Sequence, residues 1–476
     1  MSYSSWITRA AGWAVGVFHE VEVAGGGIPD GPVLVVANHP NSLLDPLVLF
    51  RVAGRPTRPL AKAPLFEQAL LGTVLRGLGG LPVFRRQDDP ALMHRNDETF
   101  RRAIEALTAG DAVQIYPEGK SHSESSLVPL RTGAARIALG AERAAGWGLA
   151  LHMVPVGLTY SRKARFRGRV LATIGAAFTI TDLRAADDAD PVEAARTLTE
   201  RIARALEEVT LNVPSADDVA LVDTAERIHA RETGLAGWRE REPLARRLPR
   251  MQAFAHGMHW LRTYDPARYQ ALARAVRRHR RKLALLGVDE GDVPPEYQPW
   301  AVTRYVLRNG ALLALGLPFA LAGALLWYPL WLVARITVAL VRPEYEAVAT
   351  YKLAGAVLAA PVVWLAHIAL AAWLGGPIVA AVAAVATPML GLVALAWHGV
   401  WRRAREDASL FGALFRGARA RNRIAHDRAE LVRAFEEVEA QWRSAVNASS
   451  AQPIISDTPP SGVTEPSQRG EPSASA

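Results

Sequence analysis

Over the first 180 residues the apolar positions fall into two kinds of pattern. Residues 32–37 (PVLVVA), 81–84 (LPVF), 112–116 (AVQIY) and 152–160 (HMVPVGLTY) are short, nearly solid hydrophobic runs of strand length. Between them, residues 46–53, 97–109 and 132–145 space their apolar positions as helices do. Buried strands alternating with helices of this length predict an α/β domain, with a mixed sheet flanked by helices. Residues 185–310 then read as charged helical sequence. The cluster Arg277-Arg278-His279-Arg280-Arg281-Lys282 fits a solvated helix face better than a nucleic-acid reader, because no aromatic platform accompanies it.

A different pattern follows. Residues 311–334 carry no charge over 24 positions, and 353–397 are uncharged apart from any proton on His367. The first is long enough for one membrane span, and the second for two hinged near Gly375-Gly376-Pro377. Trp327, Trp331, Trp373, Trp397 and Trp401 stand near the ends or the hinge, as interfacial anchors would. Three full crossings would put the Arg-rich stretches before 311 and after 402 on opposite sides. The tendency of basic residues to share one side therefore predicts a re-entrant segment, with 311–334 the candidate through Pro318 and Pro329. The opening helix, with Trp6, Trp13 and Val17 on one side and Arg9 interrupting, is too short to span; it lies at an interface or packs on the next domain. It lacks the layout of a secretory signal. The expected organisation is an interfacial helix over 1–20, a catalytic domain over 21–215, charged helices over 216–310, membrane-embedded helices over 311–401, an Arg-rich helix over 402–446 and a disordered tail over 447–476.

Composition sharpens this. The chain has 476 residues, 50% of them hydrophobic, with no cysteine and a formal charge of +9. Thiolate nucleophiles, disulfides and zinc–thiolate sites are excluded. Of 55 basic residues only Lys62, Lys120, Lys163, Lys282 and Lys352 are lysines. A basic, Arg-rich surface suits phosphate-bearing partners such as anionic lipid or a phosphorylated metabolite.

The candidate chemistry lies just after the first strand, in Asn38-His39-Pro40-Asn41-Ser42-Leu43-Leu44-Asp45-Pro46. A histidine there can act as general base, and a carboxylate on its other ring nitrogen fixes the tautomer. Pro40 and Pro46 disfavour helical geometry at the residues before them, which predicts a loop through Asp45 and a helix from Pro46. The plainer alternative is that Asp45 only caps that helix. Two further polar clusters follow strands. Tyr116-Pro117-Glu118-Gly119-Lys120-Ser121-His122 leads to Arg131, and Arg85-Arg86 follow 81–84. Gly119 permits close backbone approach, while Lys120, Arg131 and Arg85 can neutralise a phosphate. Ligands of α/β folds gather beyond the carboxyl ends of strands, so one shared pocket is expected.

Taken in order, His39…Asp45, LPVFRR, YPEGKSH and Val154-Pro155-Val156 resemble the blocks of the glycerolipid acyltransferase superfamily. Five residues rather than four separate His39 from Asp45; this, NSLLDP and VTLNVP at 209–214 are similar to the fungal-type glycerol-3-phosphate/dihydroxyacetone-phosphate acyltransferases. The resemblance implies acyl transfer from an acyl thioester, of CoA or acyl carrier protein, to a hydroxyl of a glycerol phosphate, with no other cofactor. It assigns His39 as base and Asp45 as its orienting partner. Asn41, Arg85, Glu118, Gly119, Lys120 and Arg131 would bind the acceptor. A neighbouring lysophospholipid acyltransferase and a catalytically retired lipid-binding protein are the alternatives. The implied setting is a multi-pass membrane protein, its catalytic domain facing the cytoplasm, in a bacterial inner membrane, with membrane lipids and no nucleic acid as partners.

Overall fold

A computed structural model describes residues 3–84, 94–235, 242–285, 299–415 and 418–450. Arg85, Arg86 and the tail from 451 onward lie outside them.

Among the described residues seven strands form one sheet: β1 (His19–Gly25), β2 (Val33–Ala37), β3 (Thr57–Lys62), β4 (Leu81–Val83), β5 (Ala112–Ile115), β6 (His152–Tyr160) and β7 (Gly168–Ile174). Their order is β1-β7-β6-β2-β5-β3-β4, with β6 and β7 antiparallel and every other pairing parallel. The sheet is therefore mixed, as expected. The helices are α1 (Tyr3–Phe18), α2 (Leu44–Val52), α3 (Pro64–Glu67), α4 (Ala69–Gly77), α5 (Asn96–Thr108), α6 (Gly133–Ala144), α7 (Arg184–Ala189), α8 (Pro191–Val209), α9 (Ala216–Glu232), α10 (Leu244–Tyr264), α11 (Pro266–Leu285), α12 (Pro299–Val341), α13 (Val348–Phe415) and α14 (Ala418–Ser450).

The solid run VLVVA explains why the sheet has two covered faces. Leu34 and Val36 point into a core with Leu107 of α5, Ile137 of α6 and Leu198 of α8. Val33, Val35 and Ala37 alternate to the other face, against Val15 and Phe18 of α1 and Leu44 and Val48 of α2. Thus α1 packs on the domain that follows it, with Gly12 against the Arg51 backbone, while its Trp13 stays 65% exposed.

Strands β1, β3 and β7 were not apparent from the apolar runs. β1 is an edge strand whose glutamates dilute the run, and β3 carries Arg58 and Pro59. Pro59 stands where the pairing of β3 with β5 ends and its pairing with β4, from Leu60, begins.

Beyond the sheet, α9, α10, α11 and α14 form a second helical layer, in which Leu431 and Phe435 pack with Ile228 and Val276. Lys282, from the arginine cluster, pairs with Asp427 at 2.5 Å. Leu244 and Leu248 of α10 pack on Leu171 of β7, which joins this layer to the sheet.

The apolar helices stand apart. α13 breaks at Gly376 (φ 78°), the expected hinge, and its two arms touch where Trp364 Nε1 donates to the Ala384 carbonyl at 3.1 Å. Pro388 cannot donate to that carbonyl from the next turn, so the indole satisfies it instead. The two halves of α12 lean on different arms. Trp397 and Trp327 donate to the Leu313 and Thr387 carbonyls, and a Cβ at Gly323 would overlap the Leu390 carbonyl. In the second half, Thr337 lies against Gly355. With Trp327 also meeting the His367 ring, centroids 6.1 Å apart, both sets of contacts run antiparallel, yet the arms themselves run in opposite directions. α12 must therefore bend between its halves, where Pro318 and Pro329 stand 11 residues apart, about three turns, on one side of the helix.

Candidate active site

The carboxyl ends of β2 and β5 are neighbours in the sheet, so the loops that leave them meet. The His39 N–H donates to Glu118 Oε1 at 2.8 Å, and the His122 N–H donates to the His39 carbonyl at 3.2 Å. The backbone around the histidine is thereby held from the second loop.

The histidine ring is held by Asp45. His39 Nδ1 and Asp45 Oδ2 are 2.8 Å apart, with the His39 side chain 19% exposed and the carboxylate fully buried. The same Oδ2 accepts the Asn41 N–H at 2.7 Å, and Oδ1 accepts the Tyr160 hydroxyl at 2.8 Å. A carboxylate fed by such donors is an acceptor, so Nδ1 carries the shared proton and Nε2 keeps the basic lone pair. The Tyr116 ring stacks on the imidazole with centroids 4.1 Å apart. Burial, then the Asp45 charge, raise both the Tyr116 and Tyr160 phenols well above their ordinary value, so Tyr160 remains a proton donor to Asp45.

Local structure departs from expectation in one respect. Helix α2 begins at Leu44, not Pro46, so Asp45 lies in its first turn. Pro46 is then its third residue, where a missing N–H costs no intrahelical bond. The capping alternative fails: α2 has no side-chain cap, because Asp45 is spent on His39, Asn41 and Tyr160. Ser42 takes up the long spacing in a left-handed conformation (φ 47°), within a turn closed by Leu44 N–H to the Asn41 carbonyl at 3.0 Å.

The other expected residues divide. Glu118 is buried, and its second oxygen takes the His122 ring nitrogen and the Val128 N–H at 3.2 Å. Both its oxygens are thus engaged by the protein. Gly119 (φ 72°) lets Arg131 pass: a Cβ would fall 2.6 Å from the Arg131 Nε. Lys120 and Arg131 are exposed at this edge. Asn41 is buried and donates to the Lys163 carbonyl at 3.3 Å. Arg85 lies outside the described residues, though β4 delivers the chain to the same edge, two strands beyond β5.

The sequence assigns no role to Tyr160, Lys163 or, within its polar cluster, Tyr116. Tyr160 ends β6 beside β2, a signal available only from strand order. Lys163 donates to the Pro40 carbonyl at 2.9 Å and Ser123 Oγ at 2.7 Å, and sits 5.3 Å from the Tyr345 ring centre. Burial lowers its pKa, while the carboxylates Glu346 and Asp45 oppose that shift.

Residues 20–159 match the Acyltransferase family model. Glycerol-3-phosphate O-acyltransferase 2 of Saccharomyces cerevisiae is 33% identical over 28% of this chain and 18% of its own length. Glycerol-3-phosphate O-acyltransferase 1 of the same yeast is 28% identical over 27% and 17%. An uncharacterized acyltransferase of Schizosaccharomyces pombe is 24% identical over 44% of each chain. The chain spans less than half the length of each of these curated relatives. A crystal structure of the 1-acyl-sn-glycerophosphate (LPA) acyltransferase PlsC from Thermotoga maritima aligns over 43% of this chain and 79% of that one, at 21% identity and a TM-score of 0.33, too low to bear on the reading.

Proposed function

We propose, for a chain whose residues 20–159 match the Acyltransferase family model, that it transfers a fatty acyl group from an acyl thioester to a hydroxyl of glycerol 3-phosphate or dihydroxyacetone phosphate. The observation that carries this is the His39–Asp45 pair, with its carboxylate buried and its ring at the surface.

In the reaction, His39 Nε2 takes the proton of the acceptor hydroxyl as that oxygen attacks the thioester carbonyl carbon. The new C–O bond forms, the C–S bond breaks, and the departing thiolate recovers the proton from the imidazolium. Asp45 holds the ring and stabilises its charged form while the proton is resident. The thioester is already activated, so a protein nucleophile is unnecessary. The exposed Lys120 and Arg131 would meet the acceptor phosphate, together with Arg85, whose place lies outside the described residues.

The apolar helices would seat this domain on a membrane, with the catalytic face toward the cytoplasm, where polyanionic acyl-CoA or acyl carrier protein is available. α12 contains a 32-residue apolar stretch, Gly310–Val341, and a second of 58 residues, Tyr345–Arg402, runs from just before α13 into it; only about 11% of each most apolar window is buried within the protein. Leu325, Leu340, Trp373 and Ile378 are among the large side chains left exposed. Lipid is the solvent that accepts such a surface.

The deciding experiment supplies membranes bearing the protein with a labelled acyl-CoA and, in parallel, glycerol 3-phosphate, dihydroxyacetone phosphate and lysophosphatidate. Acylation of either of the first two in preference to the lysolipid is expected. Preference for lysophosphatidate would replace the acceptor, and no transfer to any of them would refute the reading.

A further inference from the structure

We propose that the apolar region is an insertion into the bilayer that starts and finishes on the catalytic side: α13 crosses and returns as a hairpin, while α12 enters only to mid-depth and bends back. This rests on the membrane reading above and concerns the path of the chain through the bilayer.

Two independent observations carry it. First, α14 follows the apolar region in sequence but belongs to the layer that precedes it. Its Asp427 pairs with Lys282, its Glu437 with Arg268 at 2.8 Å, and its Arg428 with Glu232 at 3.4 Å. Leu431, Val432 and Phe435 complete a core with α9 and α11. That layer is fixed to the sheet through Leu244 and Leu248 on Leu171, and by Arg169 donating to the Glu242 carbonyl at 2.7 Å. A chain that leaves this layer and rejoins it can cross a bilayer only an even number of times.

Second, both feet of the α13 hairpin grip one short loop between β6 and β7. Lys352 donates to the Ala164 carbonyl at 3.1 Å, and Arg402 donates to the Arg167 carbonyl at 3.1 Å. Lys163, in the same loop, reaches the Pro40 carbonyl beside His39. The active site therefore opens beside the point where the hairpin enters lipid.

Lengths agree. Lys352 to Gly376 is 24 residues, about 36 Å of helix, and Gly376 to Arg402 is 26, about 39 Å; a hydrocarbon core is ~30 Å thick. The hinge thus reaches the far surface. Trp327, at the bend of α12, lies level with Thr387 and near His367, 11 and 9 residues from Gly376, so α12 stops short of it. Both ends of α12 lie toward the catalytic side. Leu313 bonds Trp397, five residues before Arg402, and Glu346, just past the other end, bonds Ser123. The Arg-rich stretches before 311 and after 402 then share one side, as the distribution of basic residues demands.

The chain has no cysteine, so single replacements report position without background. Asp30→Cys, Ser444→Cys and Leu374→Cys proteins would be placed in sealed vesicles of each orientation and treated with a membrane-impermeant maleimide. Asp30→Cys and Ser444→Cys should label in the same orientation, and Leu374→Cys only in the other. Labelling of the first two from opposite faces overturns the proposal. So does labelling of Leu374→Cys from the catalytic face, or from neither face before detergent is added. An alkaline carbonate wash of the parent protein separates the two ideas: release from the membrane defeats the membrane reading itself, while retention with the wrong labelling pattern defeats only the path.

Discussion

Two histidine–carboxylate pairs lie side by side at the edge of the sheet, and they are not equivalent. His39 meets Asp45 through Nδ1 alone, which leaves Nε2 as a base. His122 meets Glu118 through Nε2, and its Nδ1 accepts the Glu124 N–H at 3.2 Å, so neither nitrogen is left for a substrate. The carboxylates differ in the same sense. Asp45 serves the ring of His39, whereas Glu118 serves its backbone. In the proposed reaction the first pair would move the proton, while the second holds the backbone of the first in place. A histidine near a carboxylate is thus a poor criterion on its own; the discriminating feature is the nitrogen left over.

Asp45→Asn is the sharpest way to break this contrast. An amide in place of the carboxylate removes the preference for the productive tautomer, and kcat for acyl transfer should fall by about 10²–10⁴-fold with little change in KM. Steady-state kinetics on membranes check it; a loss below tenfold would remove the distinction between the pairs.

His122→Gln should cost less. A glutamine can still donate to Glu118, so activity should stay within about tenfold of the parent, while the melting transition falls through an effect on the order of 1 kcal/mol. A loss matching that of Asp45→Asn would mean that the second pair also handles protons.

A third imidazole, His19, pairs with no carboxylate among the described residues and supplies the smallest effect. It is fully buried with its Nδ1 on the Gly168 carbonyl at 3.0 Å, and burial holds it below its ordinary value of 6.5, though Gly168 and Asp45 oppose that. Below pH 6.5 the unfolded chain takes up this proton before the folded one does, so stability is lost as pH falls and is complete above that value. His19→Gln should flatten the dependence of the melting temperature on pH between 6.5 and 5. An unchanged slope would exclude the contribution.

How much of this could be read from the chain depended on whether the signal was local. The strand VLVVA, the His39 loop and the YPEGKSH turn are each continuous segments whose composition states their role. So does Gly375-Gly376-Pro377, where the hinge of α13 falls. Tyr160 could not be found this way, because its partner Asp45 is 115 positions away and only the β2–β6 pairing joins them. Glu118 was legible as part of the site, but its engagement by backbone donors emerges only once two loops are folded together. Proline preferences point to Pro46 as the start of α2, whereas the helix begins two residues earlier because buried partners hold Asp45 in its first turn. The course of the apolar helices was suggested by prolines and arginines, while its physical basis, α14 rejoining α9 and α11, is a long-range contact.

The most direct test of the central claim is turnover of glycerol 3-phosphate by a His39→Ala protein, measured with and without free imidazole. Loss of nearly all turnover, partly restored in proportion to added imidazole, is the expected result. Turnover close to that of the parent with no imidazole present would show that the proton is taken elsewhere.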